Sequence, residues 1–516
     1  MGQSLGEKNG DTPVCALGAS AGGLGPLRAF FHSVAPDLGV AYVVVVHLAP
    51  DHPSALADIL GGVTTMPVET VRDGAALLPD HVYVSPPDHE LVIEGDRLRG
   101  AAFEQPHGRR APIDRLFETL ADQRPDGLAI VLSGEGADGA AGLRAVHEAG
   151  GLVLAQDTTE AEHPAMPSAA IATGCVDVVA PVRALAARVG EIAQNRDAVA
   201  ALHAAREDDT LRRIIATLRR RVGHDFTHYK TATLLRRIGR RMQVTRSASL
   251  ADYAERLRRS GEEAEALFAD LLISVTGFFR DPKSFEALRR EAVVPIFDRL
   301  EAEDEPEIRA WSVGCATGEE AYSLAMLLIE EADRRKSAVP IQVFATDIDD
   351  AALAKAREGV YGHAIEADLS EARLKRFFIE EGETWRVRQD LRDAVLFARH
   401  SVLKDPPFRH LDLVACRNLL IYLDREMQRQ VLGVLRYALE PGGFLMLGTA
   451  ETADSAPESF RALDRDARIY AAEAGPGRAM PLTADCAPGP FTAATPRAPA
   501  PDRGAGVQHL EALEES

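Results

Sequence analysis

Three residues of the N-terminal half have the types that acyl transfer requires: Ser20 in VCALGASAGGLGPLRAFF, His47 in VVVVHLAPDH and Asp138 in IVLSGEGADGAAGL. A serine hydroxyl becomes a nucleophile when a base takes its proton, and the base works best when an acid orients it. Taken singly, each residue has a plainer reading. A glycine turn ahead of a helix can bind phosphate, although a Walker lysine is missing here, or Ser20 can be an N-cap. His47 can simply face solvent, and Asp138 can cap a helix in a glycine loop. Each of the three nevertheless follows an apolar run that reads as a strand, which gathers them at carboxyl ends on one edge of a parallel sheet. Jointly they favour a triad, with Ser20 as nucleophile, His47 as base and Asp138 as orienting acid. Gly18, Gly22 and Gly23 permit a tight turn, and the N-terminal N–H groups of the following helix can stabilise an oxyanion.

The C-terminal half holds a second constellation. WSVGCATGEE (311–320) again joins a strand to a helix, with Gly314 and Gly318 letting a ligand approach the backbone. The GxGxxG fingerprint of dinucleotide sites is missing. Asp347 ends the next strand, IQVFATD, and can accept hydrogen bonds from ribose hydroxyls, while Asp349 is the better helix cap. LDLVACRNLLIYLD breaks at Arg417 and Asn418, and Asn418 can hydrogen-bond a cofactor with Tyr422 nearby. Upstream, ISVTGFFRDPKSFE carries Thr276 and Arg280; the arginine either snorkels from a core edge or clamps a carboxylate.

The elements that must position these residues fall into two α/β series. VCALG (14–18), AYVVVVH (41–47), HVYVSP (81–86), GLAIVLSG (127–134) and LVLAQD (152–157) are predicted strands, apolar enough for parallel strands covered on both faces. They predict a doubly wound parallel sheet. IRAWSVG (308–314), IQVFATD (341–347), AVLFARH (394–400), LDLVACR (411–417), GGFLMLG (442–448) and ARIYAA (467–472) form the second series. Between the two, residues 211–275 read as all-helical and basic, following an alanine-rich helical linker over 194–210. Beyond 473 a proline- and alanine-rich composition predicts a disordered tail over 474–516, with a short amphipathic helix suggested at HLEALEE.

GASAGG, VVVVHLAP, LSGEGADGAAGL and HPAMPSAAIATG together resemble the catalytic domain of the chemotaxis protein-glutamate methylesterase, CheB, over residues 12–193. The resemblance implies hydrolysis of glutamyl methyl esters on chemoreceptors, often with glutamine deamidation, by Ser20, His47 and Asp138. Glu135 stands where that family usually has methionine, and a carboxylate there is expected to alter substrate preference or the titration of His47. The receiver domain that normally precedes the esterase does not appear ahead of it, so control by aspartyl phosphorylation within the chain is not expected.

VTGFFRD, ATGEEAYSLA, FATDID and CRNLLIYL, in that order, resemble the chemotaxis protein-glutamate methyltransferase, CheR, over about 208–473. This implies a small helical domain (211–275) and a Rossmann-like S-adenosylmethionine methyltransferase domain (276–473). The latter would carry a small β insertion around Tyr361 to Arg392, where FFIEEGETWRVRQ suggests a hairpin. It implies cofactor contacts from Thr276, Arg280, Glu320 and Asp347, further contacts near Ser401, Val402, Arg417 and Asn418, and Tyr422 lining the reactive side. Ala321 and Ser274 depart from common family residues in ways that bear on affinity rather than on the reaction.

The whole chain is consistent with such an enzyme. Its 516 residues suggest about three domains. A net charge of -20 argues against nucleic-acid binding. Against that background, Leu211 to Arg246 carry eleven basic residues and one acid, Asp225, so this region is either a solvated face or a docking face for an acidic partner. Five scattered cysteines, none in a CxxC pair, read as small buried hydrophobes and not as a metal site. No apolar run approaches the ~18 residues of a membrane span, and the polar start lacks a signal peptide, so a cytoplasmic protein is expected. The combined expectation is a bifunctional adaptation enzyme acting on the cytoplasmic domains of membrane chemoreceptors. Two alternatives stand beside it: a signalling scaffold with degenerate sites, and the same chemistry on a protein outside chemotaxis.

Overall fold

The structure is a computed structural model. It describes residues 12–473 apart from 48–53, 72, 88, 104–109, 197–208, 273–274, 301–305 and 383. Most of the predicted linker, the predicted tail with its HLEALEE helix, Ser274 and Cys486 therefore lie outside the described residues.

In the N-terminal half run β1 (Val14–Ala19), β2 (Ala41–Val46), β3 (Val68–Thr70), β4 (Ala75–Ala76), β5 (Val82–Val84), β6 (His89–Glu94), β7 (Arg97–Ala102), β8 (Leu128–Val131), β9 (Leu152–Gln156) and β10 (Val178–Ala180). Seven of them form one sheet in the order β10-β9-β8-β1-β2-β5-β3, parallel at every pairing. Strand β1 is buried along its whole length because helices cover both faces of the sheet. Cys15 and Leu17 join Phe30 and Phe31 of the helix Leu24–Ser33 and Leu185 and Val189 of Val182–Gln194. Val14 and Ala16 point the other way, toward Leu116 and Phe117 of Pro112–Gln123 and Leu143 and Val146 of Ala140–Ala149. The period of two thus feeds two apolar layers from one run of residues. Strands β4, β6 and β7 form a separate antiparallel three-stranded sheet.

The C-terminal half adds β11 (Ile308–Val313), β12 (Ile341–Asp347), β13 (Val360–Gly362), β14 (Phe378–Glu381), β15 (Thr384–Val387), β16 (Val395–Arg399), β17 (Leu411–Cys416), β18 (Leu439–Leu447), β19 (Phe460–Asp464) and β20 (Ile469–Ala472). Its main sheet runs β16-β12-β11-β17-β18-β20-β19, parallel as far as β18 and antiparallel at β20 and β19. Strands β13, β15 and β14 make the small antiparallel insertion.

Between the halves lie the helices Asp209–Val222, Thr231–Thr245, Leu250–Arg259 and Gly261–Leu272. In the first, Leu211, Ile214 and Leu218 are buried at helical spacing. They share one core with Trp311, Val414 and Cys416 of the second sheet, so the helical domain and the C-terminal sheet pack as a unit.

The basic region divides into two. Arg212, Arg213, Arg219, Arg220 and Arg221 are exposed, whereas Arg237 and Arg240 on Thr231–Thr245 are buried against the N-terminal domain. Arg237 donates to the carbonyls of His147 (2.7 Å) and Glu148 (2.6 Å), two of the last carbonyls of the helix Ala140–Ala149. Arg240 pairs with both Asp177 and Asp270 and donates to Nδ1 of His147. The buried Arg240 thus meets its carboxylates within the chain, while the arginines of Asp209–Val222 remain a solvated face. Four cysteines, Cys15, Cys175, Cys315 and Cys416, are free and buried. No helix among the described residues is long and apolar enough to cross a membrane.

Candidate active sites

Sheet order places a switch point at β1, which has β2 on one side and β8 on the other. Ser20 follows β1, His47 follows β2 and Asp138 lies in the loop after β8. Nδ1 of His47 is 3.2 Å from Oγ of Ser20, and Nε2 is 2.6 Å from Oδ2 of Asp138. Backbone bonds fix the frame: Ser20 N donates to Ser133 O at 3.0 Å, and His47 N to Ala19 O at 3.2 Å. Asp138 caps no helix of its own. Its two oxygens accept from Ile113 N (3.1 Å) and Asp114 N (2.9 Å), at the start of Pro112–Gln123. Ser20 is not an N-cap either, since Gly23 stands at that position of Leu24–Ser33. This turn faces the positive end of that helix, where an oxyanion is best stabilised. Gly22 is required there: its φ is +67°, and a Cβ would sit 2.8 Å from the His163 ring and 2.9 Å from Ser133 Oγ.

Glu135 makes its contact beside the Ser20 turn, since the His163 ring it meets lies against Gly22. Its Oε1 meets Nδ1 of His163 at 2.6 Å, with the carboxylate largely exposed. The sequence reading singled out Glu135 but missed this partner, and it missed Met166, whose sulfur occupies the space beside Gly134.

The second site lies at the switch point of the other sheet, where β11 separates β12 from β17. A cleft open at its mouth is lined by Thr276, Arg280, Glu320, Asp347, Ser401, Val402, Arg417, Asn418 and Tyr422. These nine residues thus border one space, whereas Gly318 does not line it: a Cβ there would meet Ala356 and Phe397, so that glycine serves close packing and not ligand approach. Asp347 accepts from Ala316 N and Asp349 N, both at 2.9 Å, and burial pushes its pKa up. Asp349 is the helix cap, accepting from Ala351 N and Ala352 N. Arg417 is buried and aims along the cleft wall: it donates to Arg280 O (2.8 Å) and to Asp281 Oδ2 (2.6 Å), and lies 3.6 Å from Glu320. It thereby pins a loop in which Phe279 (φ +48°) and Asp281 (φ +63°) are both left-handed, and that loop presents Arg280. Asn418, itself at φ +57°, is held by Glu451, whose carboxylate accepts from Asn418 N, Ile421 N and Gly448 N.

The helical domain contributes His224 and Tyr229 to the cleft, 3.3 Å apart, and burial lowers the His224 pKa to about 4. The sequence analysis missed both, and it missed Glu451. The HDFTHYK stretch shows two histidines among aromatics, but only the tertiary fold turns His224 and Tyr229 toward strand ends more than a hundred residues later.

The cleft fits an adenosyl cofactor. Gly314, at φ +71°, has open space where a Cβ would stand, so a ligand can lie on the backbone there. Nδ1 of His400, on the cleft wall, is buried with no protein partner. Asp347 sits at the end of the second strand, where a ribose is received.

Fold and geometry together define a two-site protein, a Ser-His-Asp relay on one α/β sheet and a cofactor cleft on another. Three family matches follow in the same order: CheB methylesterase over residues 15–189, the all-alpha domain of CheR methyltransferase over 209–272, and the SAM-binding domain of CheR methyltransferase over 274–469. A chemotaxis protein methyltransferase of Listeria innocua is 30% identical over 234 residues, covering 45% of this chain and 86% of that protein. An uncharacterized 104.1 kDa protein of Rhodobacter capsulatus is 37% identical over 476 residues, covering 87% of this chain and 49% of its own length. The chain thus spans about half of that relative. The crystal structure of the Thermotoga maritima CheB methylesterase catalytic domain shares 25% identity, covers 35% of this chain and 99% of its own, and has a TM-score of 0.33. The chain belongs to the CheR methyltransferases and carries a CheB methylesterase domain ahead of the CheR domains, a CheB–CheR fusion. It therefore joins a methylesterase domain to an S-adenosylmethionine-dependent methyltransferase domain.

Proposed function

We propose that this protein both writes and erases methyl esters on glutamate side chains of the cytoplasmic domains of membrane chemoreceptors. The observation that supports this most directly is the pairing of an intact Ser20–His47–Asp138 hydrogen-bond chain with a separate cleft lined by all the methyl-donor residues.

In the esterase, Ser20 Oγ attacks the ester carbonyl while Nδ1 of His47 takes its proton. Asp138 keeps the ring oriented and stabilises the imidazolium that forms. His47 then returns the proton to the departing methoxide, so methanol leaves and a glutamyl ester of Ser20 remains. Water, deprotonated by the same histidine, frees the glutamate and restores Ser20. The same geometry admits an amide, which would release ammonia from glutamine.

In the transferase, Asp347 would receive the ribose, with Thr276, Glu320, Ser401, Val402 and Asn418 around the rest of the cofactor. S-adenosylmethionine supplies a methyl group on a sulfonium centre. A glutamate carboxylate is already ionised at neutral pH, so no base is needed. Tyr422 lines the reactive side, where placement of the acceptor in line is the main task, while Arg280 serves the cofactor and buried Arg417 pins the loop that presents it.

The test mixes purified protein, methyl-labelled S-adenosylmethionine and membranes holding the host's chemoreceptors. Base-labile label on the receptors and volatile methanol are both expected. Receptor label that never forms, with the cofactor demonstrably bound, would show that the acceptor lies elsewhere.

A further inference from the structure

The pocket in front of Ser20 holds one charged side chain that no step of the esterase reaction uses. Among its described lining residues, Leu24, Val46, Leu56 and Ile59 are apolar, and only His47 and Glu162 are titratable. Leu24 and Ile59 are large apolar side chains left 44% and 36% exposed, so the pocket is open to a substrate segment along that wall. Glu162 is exposed too, and it stands directly against the nucleophile turn. A Cβ placed on Gly22, two residues after Ser20, would come 3.0 Å from the Glu162 Cβ.

The other acids of this neighbourhood are committed. Glu160 accepts from Gln156 Nε2 at 3.0 Å and from Val182 N at 2.8 Å. Glu135 meets His163 Nδ1 at 2.6 Å. Asp138 is held by His47 and two backbone amides. Glu162 has no hydrogen-bond or ion-pair partner among the described residues, and no lysine or arginine among the described lining residues balances it. An unpaired carboxylate at the rim of a pocket attracts cations that arrive beside it and repels carboxylates. The methyl ester itself carries no charge. Glu162 therefore acts on the side chains that flank the ester in the substrate segment.

We propose that Glu162 is a specificity-determining residue of the esterase, favouring methyl esters that lie beside a cationic side chain and disfavouring those beside a carboxylate. The proposal rests on reading the substrate as a glutamyl methyl ester within a protein segment. A consequence follows for segments that carry several esters. Each hydrolysis turns a neutral ester into a carboxylate, so a second ester next to the first is removed more slowly, and erasure slows as it proceeds. Because Glu162 is exposed, the effect is modest and screened by salt.

The experiment measures methanol release by full-length protein from two short peptides. They are alike except for the residue beside a glutamyl methyl ester, lysine in one and glutamate in the other. The Glu162→Gln and Glu162→Lys variants are run beside the parent at low and at high salt, with a small uncharged methyl ester as control. The parent should prefer the lysine-flanked peptide by roughly three- to tenfold in kcat/KM at low salt, and by less at high salt. Glu162→Gln should bring the two peptides within about twofold of each other, and Glu162→Lys should reverse their order. Each comparison is a ratio within one protein, so a change in overall activity or in the folded fraction cancels. A parent that treats both peptides alike, or a preference that survives in both variants, would overturn the proposal. Methanol released from the small ester but from neither peptide would overturn the reading of the substrate as a glutamyl ester, and the proposal with it.

Discussion

Asp138 illustrates how one side chain serves two elements. Its carboxylate closes the start of the helix Pro112–Gln123 through Ile113 N and Asp114 N, and from that anchored position it reaches His47 at 2.6 Å. A relay held by backbone in this way is arranged before substrate arrives, so loss of its nucleophile should act on chemistry alone. Ser20→Ala is expected to lower methanol release by about 10⁴-fold or more while leaving the melting temperature unchanged. Asp114 sits beside this anchor, accepts from Gly142 N at 2.7 Å, and is pushed up to about 7 from 3.8, first by burial and then by Asp138. A raised acid pKa means that the folded protein binds the proton more tightly than the unfolded chain. Its contribution to stability is thus present at low pH and is lost as pH rises from about 4 to about 7. Asp114→Asn keeps the acceptor oxygen and should flatten that slope, read as urea midpoints at pH 4.5 and 7.5. An unchanged slope would exclude Asp114 as its source. The triad residues were legible because each ends an apolar run. Tyr229, His224 and Glu451 were not, because their roles depend on packing between distant segments.

At the scale of elements, strands that are apolar throughout announced themselves, even three-residue β5, whereas several with polar or exposed positions, six-residue β6 and β7 included, did not. Strands β1, β2, β9 and β11 are buried along most of their length and read directly as parallel strands. Strands β3, β4 and β10 have two or three residues each, with partly exposed side chains, and carry too little pattern to be read. Strand β19 was missed for a similar reason: only Phe460 of its five residues is buried, and it is recognised by pairing with β20. Strand ends also explain the cofactor cleft. Asp347 orders the Ala316 and Asp349 amides at the ends of β11 and β12. Asp347→Ala removes both acceptors as well as the ribose partner, and is expected to weaken S-adenosylhomocysteine binding at least roughly tenfold by calorimetry. Retained affinity would place the ribose elsewhere. The helix Ala140–Ala149 ends at Gly150 with φ +103° and with no room for a side chain against Arg236. Gly150→Ala should destabilise the protein by about 1–3 kcal/mol, from backbone strain and crowding together, seen as a lower urea midpoint.

The arrangement of the whole molecule follows from the direction of one helix. Ala140–Ala149 starts near Asp138, at the carboxyl edge of the first sheet, and returns antiparallel to β8, so its end lies at the opposite edge, where β9 begins. The esterase domain therefore meets the helical domain with the edge that carries Glu148, while Ser20, His47 and Asp138 stay on the far edge. The sequence showed a concentration of arginines but not its destination, because the acids that receive Arg240, Asp177 and Asp270, are single residues far apart in the chain. A docked esterase domain that restrained the methyltransferase would leave the esterase site, on the far edge, open. Arg240 is the test of this, since it spans the interface and touches neither site. Arg240→Ala strands two buried carboxylates and should cost about 3–5 kcal/mol at the interface. Hydrogen exchange over residues 143–150 should then accelerate, methyl transfer to receptor membranes should rise, and hydrolysis of a small methyl ester should stay constant. Faster exchange without faster methyl transfer would mean that the docked domain does not hold the transferase back, and an equal change in both activities would mean that the two sites are coupled through some route other than this interface.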